Sequence, residues 1–227
     1  MNTGARYAIY WAPERDDALW VAGCEWLGRD PECPGAVANA RPETGEPGRY
    51  GIHATLKAPM RLVDGVDEHA LFDMLERLTA RTSAFAMPMM EVSTLRDFVA
   101  VLPTRPIAAD HPLRRLADAC VTQTDGLRLA GSEAELRRRT RSQALDAQEI
   151  SLLQRWGYPY VFDCWKFHMT LSDSMHDQTV LERLLAEARR HFAAALADQL
   201  MCTSVSVFTE SVAGAPFMLT RRFAFRR

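Results

Sequence analysis

Short runs in which hydrophobic and polar residues alternate separate longer stretches in which hydrophobic residues recur every three or four positions. A period of two is typical of half-buried strands, and a period of 3.6 is typical of amphipathic helices. The pattern predicts a first strand over residues 6–11 and then the order strand, helix, strand, strand twice. The first unit comprises strand 51–62, helix 67–82 and strands 84–92 and 97–103, and the second comprises strand 161–172, helix 178–197 and strands 200–210 and 216–225.

The remaining segments connect these two units. A helix is predicted to begin after Asp16 and Asp17, whose side chains are suited to capping it. Residues 29–50 are rich in proline and glycine, which predicts a long surface loop leading into the first unit. A helix that begins near residue 111 and a charged helical stretch over residues 133–156 then lead to the second unit.

The repeated order of elements predicts the fold class. We expect an α+β protein with antiparallel sheets that flank a central cleft. Residues 1–227 would form a single bilobal domain, with pseudo-symmetric lobes at about 14–110 and 150–227 and a helical connection at 111–149. A chain of 227 residues is long enough to bury a core of this kind.

Composition limits the classes of partner. The chain is 48% hydrophobic and 25% charged, which is ordinary for a soluble globular protein. Its formal net charge of −2 offers no general attraction for a polyanion, so long nucleic acid and acidic membrane surfaces are not expected as partners. A small phosphate-ester substrate remains compatible with this charge. The sequence carries no signal for an oligomeric state.

The sequence also predicts a cellular location. No apolar run approaches the ~20 residues that a membrane-spanning helix needs, and the N-terminal stretch lacks the apolar core of a signal peptide. The five cysteines are scattered, without Cys-x-x-Cys pairs or zinc-type spacing, so we expect reduced thiols. These features together predict a cytoplasmic protein without membrane attachment.

The two units share a motif in their first strands. The stretch His53-Ala54-Thr55-Leu56 is matched 115 residues later by His168-Met169-Thr170-Leu171. On a strand, the histidine and threonine of each copy point to one face, together with Lys57 or Lys166, while the intervening residues face the core. A single His-x-Thr on a half-buried strand is most often a solvated polar face. Two copies in matching contexts indicate a shared function.

Two histidines that face one cleft suit displacement at phosphorus. The reaction needs a base on the attacking oxygen and an acid on the leaving oxygen, and imidazoles with pKa values of ~6.5 can fill both roles. The hydroxyls of Thr55 and Thr170 can donate to the non-bridging oxygens, and Lys57 or Lys166 can add positive potential. This chemistry requires no metal and no other cofactor. Which histidine is the base and which is the acid stays open.

Other types of site are less well supported by the sequence. The chain has no Gly-x-Ser-x-Gly elbow, no Walker A loop, no Gly-x-Gly-x-x-Gly and no His-Glu-x-x-His. A metal held by both motif histidines and a carboxylate is an alternative that leaves the matching threonines unexplained. The candidate carboxylates are Asp163, Asp173 and Glu210. The basic run Arg137–Arg141 fits either a solvated helix face or an anion-binding patch near the substrate.

The paired His-x-Thr-Leu motifs resemble those of the 2H phosphoesterase superfamily, whose members carry two such motifs on pseudo-symmetric lobes. The longer contexts, from Arg49 to Pro59 and from Gln154 to Tyr160 together with Phe167 to Leu171, are similar to one branch of it. That branch is the DUF1045-type group of phosphonate-metabolism proteins, found with carbon–phosphorus lyase systems. The likeness extends over nearly the whole chain.

This resemblance implies a bilobal α+β fold with a cleft and metal-independent opening or hydrolysis of a phosphodiester. The implied catalytic residues are His53 and His168, the phosphate-binding residues are Thr55 and Thr170, and the candidate supporting residues are Lys57, Lys166, Tyr50 and Arg49. Family members often have an acidic pair and an arginine before the second motif. This chain has Asp163-Cys164-Trp165-Lys166, so the substrate is less determined than the reaction type.

We therefore expect a metal-independent phosphodiesterase that hydrolyses a small cyclic phosphodiester, for example a phosphoribosyl cyclic phosphate in phosphonate catabolism. An RNA-end 2′,3′-cyclic phosphodiesterase or ligase would use the same residues on a larger substrate. A non-catalytic protein that binds phosphate esters in the same cleft is the third alternative. The sequence names neither the substrate nor the choice between hydrolysis and ligation.

Overall fold

The computed structural model describes residues 4–33, 41–142 and 144–226. The strands are β1 (Arg6–Trp11), β2 (Ala54–Met60), β3 (Phe85–Ala86), β4 (Met90–Leu95), β5 (Phe98–Pro103), β6 (Met169–Thr170), β7 (Met201–Cys202), β8 (Ser204–Glu210) and β9 (Met218–Ala224). The helices are α1 (Ala18–Leu27), α2 (Gly45–Tyr50), α3 (Glu68–Thr79), α4 (Pro112–Thr124), α5 (Glu133–Ser142), α6 (Ala147–Trp156) and α7 (Gln178–Phe192). Short 3₁₀ turns cover Pro42–Thr44, Asp125–Leu127 and Phe162–Cys164.

The predicted repeat of secondary structure is present. β2 is followed by α3, β3, β4 and β5, and β6 is followed by α7, β7, β8 and β9. The predicted strands at 84–92 and 200–210 each divide into a two-residue strand and a longer one, and the short strands β3 and β7 pair with each other. Pairing between all the named strands is antiparallel. The predicted α+β class with antiparallel sheets is confirmed.

The sheets exchange strands between the two units. One sheet has the order β2-β1-β8-β9 and another has the order β4-β5-β6. The β4–β5 hairpin that follows the first motif thus joins the second motif strand, and the β8–β9 hairpin that follows the second motif joins the sheet of the first. The ranges 14–110 and 150–227, predicted as lobes, therefore contribute strands to common sheets. Hydrophobic periodicity specifies strands but not which strands pair.

Helices pack on the sheets and join them into one core. α4 packs on β2 and α3 packs on β9, whereas α7 packs on β4 and β5. α7 does so through a buried stripe that includes Leu184, Ala188 and Phe192, the spacing expected for a core-facing helix. Trp26 of α1 is buried and donates its indole N–H to the carbonyl oxygen of Leu171 at 2.8 Å. The N-terminal helix is thereby tied to the end of the second motif.

The segment before the second motif is not an extended strand. The prediction covered residues 161–172, but β6 contains two residues and a 3₁₀ turn replaces the beginning of the predicted strand. Phe162 has a φ of +50°, which interrupts an extended run. Trp165 donates its indole N–H to the carbonyl oxygen of Thr55 at 2.9 Å. This segment is therefore anchored to β2 by a side chain.

The predicted loop at 29–50 contains regular structure near its end, where a 3₁₀ turn leads into α2. The carboxylate of Asp173 accepts hydrogen bonds from the backbone N–H of Gly45 at 3.0 Å and of Glu46 at 2.9 Å. A cap supplied by a residue distant in sequence is not visible in local patterns, and this explains the missed helix. Residues 34–40 of the predicted loop, which include Pro34 and Gly35, lie outside the described part of the chain.

The connecting helices also differ from the prediction in one respect. The charged stretch at 133–156 forms two helices, because Asp146 and Glu149 make a reciprocal capping box that begins α6.

The five cysteines are free thiols. Within the described residues no helix combines the length and apolar character that a membrane span requires.

Candidate active site

One cleft of about 590 Å³ brings the two His-x-Thr motifs together. His53 lies directly before β2 and His168 directly before β6, and these strands contact each other although they belong to different sheets. Both imidazoles line the cleft together with Thr55 and Thr170. The cleft is within the size range of small-molecule sites. The structure therefore places the four predicted principal residues around one volume that can hold a small ester.

The two histidines make the same local hydrogen bond. His53 Nδ1 lies 2.8 Å from the carbonyl oxygen of Gly51, and His168 Nδ1 lies 2.8 Å from the carbonyl oxygen of Lys166. Because a carbonyl oxygen can only accept, Nδ1 carries the proton in each neutral ring and Nε2 carries the lone pair. Each imidazole thus offers Nε2 as a base when the ring is neutral and as an acid when it is protonated.

The backbone before His53 depends on two glycines. Gly51 has a φ of +77°, and a β-carbon at this position would lie 2.1 Å from Pro31 Cγ. Ile52 is fully buried against Gly23 of α1, where an added β-carbon would lie 2.5 Å from Ile52 Cγ1. The chain therefore passes closely between α1 and Pro31, and this packing fixes the Gly51 carbonyl that orients His53.

Burial lowers the pKa values of both histidines. Desolvation lowers the pKa of His53 to about 4; the hydrogen bond to Gly51 opposes this shift, and the charge of His168 adds to it. Desolvation also lowers the pKa of His168, against the effect of the Lys166 carbonyl. Both rings are therefore neutral at neutral pH.

Aromatic side chains surround His53. The ring of Tyr10 stacks on the imidazole with centroids 3.8 Å apart and an interplanar angle of 24°. The ring of Tyr50 lies 5.9 Å away, and Tyr158 and Phe98 also line the cleft. Burial raises the pKa of Tyr10 well above its usual value and that of Tyr158 to about 12. Both phenols are therefore neutral and add no negative charge to the site.

Sequence reasoning did not select Tyr10, Phe98 or Tyr158 as site residues. Tyr10 lies directly opposite Thr55 in the β1–β2 ladder, so the pairing of these strands would have placed it beside the motif. Tyr158 directly follows Gly157, the C-cap of α6. These residues carry no motif of their own, and the topology brings them to the cleft.

Thr55 and Thr170 line the cleft from two different sheets. Thr55 pairs with Tyr10 in one sheet, and Thr170 pairs with Ala100 in the other. Within the described part of the chain, neither hydroxyl makes a hydrogen bond to a protein atom. A hydroxyl donates one hydrogen bond, so each threonine can donate to an oxygen of a bound ligand.

Arg49 and Tyr50 lie on α2 and support the cleft wall. Tyr50 lines the cleft and stacks on Phe217 with ring centroids 4.8 Å apart. The Arg49 guanidinium lies 5.1 Å from the Tyr50 ring centroid and forms an ion pair with the buried carboxylate of Glu210, which also pairs with Arg6. The structure thus places Tyr50 at the cleft and Arg49 behind it.

The two predicted lysines lie away from the cleft lining. Lys57 is buried and donates to the carbonyl oxygen of Val121 at 3.0 Å, with Asp125 at 3.5 Å. The β1–β2 register shifts between the pairs Tyr10–Thr55 and Ile9–Lys57, so the strict alternation that placed Lys57 beside Thr55 is wrong. Lys166 is exposed, and its backbone carbonyl, not its ammonium, contacts His168.

The three carboxylates that the sequence offered as metal ligands have other partners in the structure. Glu210 is paired with Arg6 and Arg49, and the exposed Asp163 is paired with Arg114 at 3.0 Å. Asp173 lines the cleft, but its oxygens accept the N–H groups that begin α2. Among the residues that the structure describes, no group of three histidine, cysteine or acidic side chains is placed to hold a metal ion.

The basic run Arg137–Arg141 lies on α5 and is not part of the described lining of the histidine cleft. Arg137 is exposed and pairs with Glu133 at 3.0 Å. Arg139 is half-buried, pairs with Glu135 at 3.0 Å and donates to the carbonyl oxygen of Gly157 at 3.0 Å. The side chain of Arg141 is outside the described part of the chain. The run therefore divides into exposed and inward-facing arginines.

Comparison with known sequences identifies the family. The family described as "Protein of unknown function (DUF1045)" matches residues 55–218, which is most of the chain and includes the second motif and the threonine of the first. The protein belongs to the DUF1045 family, as the flanking sequences of the motifs predicted.

Two curated proteins are similar to this chain over nearly its whole length. The ribose 1,5-bisphosphate phosphokinase PhnN of Janthinobacterium sp. (strain Marseille) is 39% identical over 97% of this chain and 51% of its own length. The protein of the same name from Laribacter hongkongensis (strain HLHK9) is 35% identical over 95% of this chain and 51% of its own length. The chain thus spans about half the length of these relatives.

Among solved structures, a phosphoesterase matches 98% of this chain and 99% of its own with 13% identity and a TM-score of 0.47. The LigT protein of E. coli complexed with 3′-AMP matches 98% of both chains with 14% identity and a TM-score of 0.48. LigT complexed with NADP+ matches 98% of both chains with 12% identity and a TM-score of 0.46.

Proposed function

We propose that this protein is a phosphodiesterase of the 2H type that hydrolyses a small cyclic phosphodiester. The observation that carries the proposal is the matched pair of histidines at one cleft, each with Nδ1 on a carbonyl oxygen two residues earlier and Nε2 available. Two rings held in the same way on two different sheets can contact opposite sides of one phosphorus. Displacement with acid and base at opposite apices needs this arrangement.

The different surroundings of the two rings support an assignment of roles. His53, with a pKa of about 4, is neutral at physiological pH, so its Nε2 would accept the proton of the attacking water. Desolvation lowers the pKa of His168 in the free protein, and the negative charge of a bound phosphate would oppose this and favour the protonated ring. His168 would then protonate the leaving oxygen. Thr55 and Thr170 would donate to the non-bridging oxygens.

This mechanism uses only groups of the chain, and we propose that it is independent of metal. The attacking water is activated by an imidazole, and the charge that develops on phosphorus oxygens is met by two hydroxyls and by the protonated His168. The aromatic rings of Tyr10 and Tyr50 exclude water from one side of His53 and keep it neutral between turnovers.

The names of the relatives support a substrate class. Those proteins are named for a reaction of ribose 1,5-bisphosphate, and we propose that this chain acts on a phosphorylated ribose whose cyclic phosphate is the scissile diester, in phosphonate catabolism. The phosphokinase reaction itself is not assigned to this chain. It contains no Walker A motif, and it spans only half of those proteins.

A panel assay tests the proposal. Purified protein would be assayed against ribose cyclic phosphates, 2′,3′-cyclic nucleotides and an oligonucleotide that ends in a 2′,3′-cyclic phosphate. Each assay would be run in the presence and in the absence of EDTA. We expect turnover of the small ribose esters that EDTA does not reduce. Preference for the oligonucleotide would favour an RNA-end enzyme, and thermal stabilisation by an ester without product would favour a binding protein. Loss of all activity with EDTA would refute the metal-independent mechanism.

A further inference from the structure

A second cavity of about 350 Å³ adjoins the histidine cleft, and we call it the arginine cavity. Pro59 at the end of β2 lines both volumes. Gly157 lines the arginine cavity and the next residue, Tyr158, lines the cleft. The two volumes are therefore neighbours along the same strand and the same turn.

The lining of the arginine cavity is strongly basic. Four of its described lining residues are arginines, and Glu135 is the one acidic residue among them. The arginines come from four separate elements of the chain, and they are Arg6, Arg61, Arg128 and Arg139. Asp125 and Glu210 pair with Arg128 and Arg6 behind the lining, but the arginines still outnumber the carboxylates. This favours an anionic ligand, although the net charge of the whole chain is −2.

The guanidinium groups are held in place by protein partners. Arg128 donates Nε to Asp125 at 2.8 Å and a terminal nitrogen to the carbonyl oxygen of Arg155 at 3.0 Å. Arg6 forms an ion pair with the buried Glu210. Arg139 contacts Gly157 and Glu135 as described above, whereas Arg61 reaches Glu135 only at 3.8 Å. Anchored guanidiniums lose little side-chain entropy when a ligand binds, and their planar fork matches the oxygens of a phosphate.

One molecule can extend from the cleft into the arginine cavity, because Pro59 lines both volumes. We infer that the arginine cavity binds a second phosphate of the substrate, so that the substrate class is a phosphodiester that carries a further mono- or diphosphate. This inference rests on the proposed function and assigns a binding site to the second phosphate of its substrate.

The kinetic test compares ribose cyclic phosphates that carry a 5-hydroxyl, a 5-phosphate or a 5-diphosphate. The variant carries both Arg61→Gln and Arg139→Gln, and the control is Arg137→Gln. Arg137 is exposed and lies on the same helix as Arg139. Each of these two arginines pairs with the glutamate four residues earlier. We expect the double variant to lower kcat/KM for the phosphorylated substrates about 10-fold or more, mainly through KM. The 5-hydroxyl substrate and the control should change little. Equal effects on all three substrates, or no effect, would overturn the inference.

A binding experiment separates this inference from the proposed function. Inorganic pyrophosphate is titrated calorimetrically into the wild-type protein, the double variant, Arg61→Gln alone, Arg137→Gln and His168→Gln. We expect weaker binding in the double variant and, to a smaller extent, in the exposed Arg61→Gln, and unchanged binding in Arg137→Gln and His168→Gln. Absence of turnover with this binding pattern would refute only the proposed function. Binding that depends on His168 and not on the arginines would overturn the inference.

Discussion

The chemistry of the site depends on a local geometry that both histidines share. Each ring donates Nδ1–H to a carbonyl oxygen two residues earlier in the chain. This bond selects one tautomer and leaves Nε2 as the reactive atom. The rings differ in environment, because His53 is stacked on Tyr10 while His168 lies near Phe98 with centroids 6.1 Å apart. Desolvation lowers the pKa of both rings, and the difference in their surroundings supports the different roles that we propose for them.

The lowered pKa of His53 predicts how stability depends on pH. Its pKa is about 4 in the folded state and ~6.5 in the unfolded state, so between these values the unfolded state binds more protons. The free energy of unfolding should therefore fall as pH decreases from ~6.5 toward 4. In His53→Gln this fall should be smaller. Urea unfolding of both proteins at several pH values measures it, and equal slopes would contradict the burial of a neutral His53.

Residue types alone supported the choice of the principal site residues. His53, Thr55, His168 and Thr170 stand at matching offsets in two copies, and this pattern is readable without any structure. Lys57 could not be placed correctly in the same way, because the register shift in β2 turns its side chain toward α4. A bulge depends on the partner strand, and strict alternation does not predict it.

At the level of elements, the entry into β2 controls the first half of the site. Gly51 has a positive φ and leaves no room for a β-carbon beside Pro31, and His53 follows two residues later. Gly65, in the turn before α3, has a similar φ of +80°, but nothing lies within 4 Å of the place where its β-carbon would be. Gly51 differs from Gly65 in its contact with Pro31, and its ψ of 178° also places it in a backbone region that is essentially restricted to glycine.

Replacement of each glycine by alanine should have different costs. Gly65→Ala should destabilise the protein by about 1–2 kcal/mol, the cost of a left-handed backbone in a residue with a β-carbon. Gly51→Ala should cost a further ~1–3 kcal/mol for the overlap with Pro31, and it should reduce activity by displacing the carbonyl that orients His53. Chemical denaturation and turnover assays measure both effects. Equal losses in the two variants would show that the contact with Pro31 is unimportant.

At the level of the whole molecule, the exchange of strands makes the two sequence units dependent on each other. β1 of the N-terminal part pairs with β8, and β5 of the first unit pairs with β6 of the second. The cleft lies where β2 and β6 contact each other, so neither half of the chain contains a complete site. Periodicity predicted the elements and their order. The pairing across the halves could not be predicted, since the pattern fits pairing within each unit equally well.

Separation of the halves tests this interdependence. A fragment of residues 1–130 contains β1 to β5 but lacks the strands that pair with β1 and β5 on their other sides. We expect this fragment to be unfolded or molten on its own, and to regain structure when mixed with residues 131–227. Near-ultraviolet circular dichroism and NMR dispersion distinguish these states. A cooperative thermal transition in the isolated N-terminal fragment would contradict the exchanged topology.

The most direct test of the central claim is turnover of a 5-phosphoribosyl cyclic phosphate, followed by ³¹P NMR, in wild-type protein and in His53→Gln, His168→Gln and His176→Gln. His176 is exposed and lies outside the described cleft lining, so its replacement controls for the loss of an imidazole. We predict that each motif variant remains folded and loses on the order of 10²–10⁴-fold in kcat, whereas His176→Gln retains wild-type activity. Near-normal turnover in either motif variant would contradict a two-histidine mechanism.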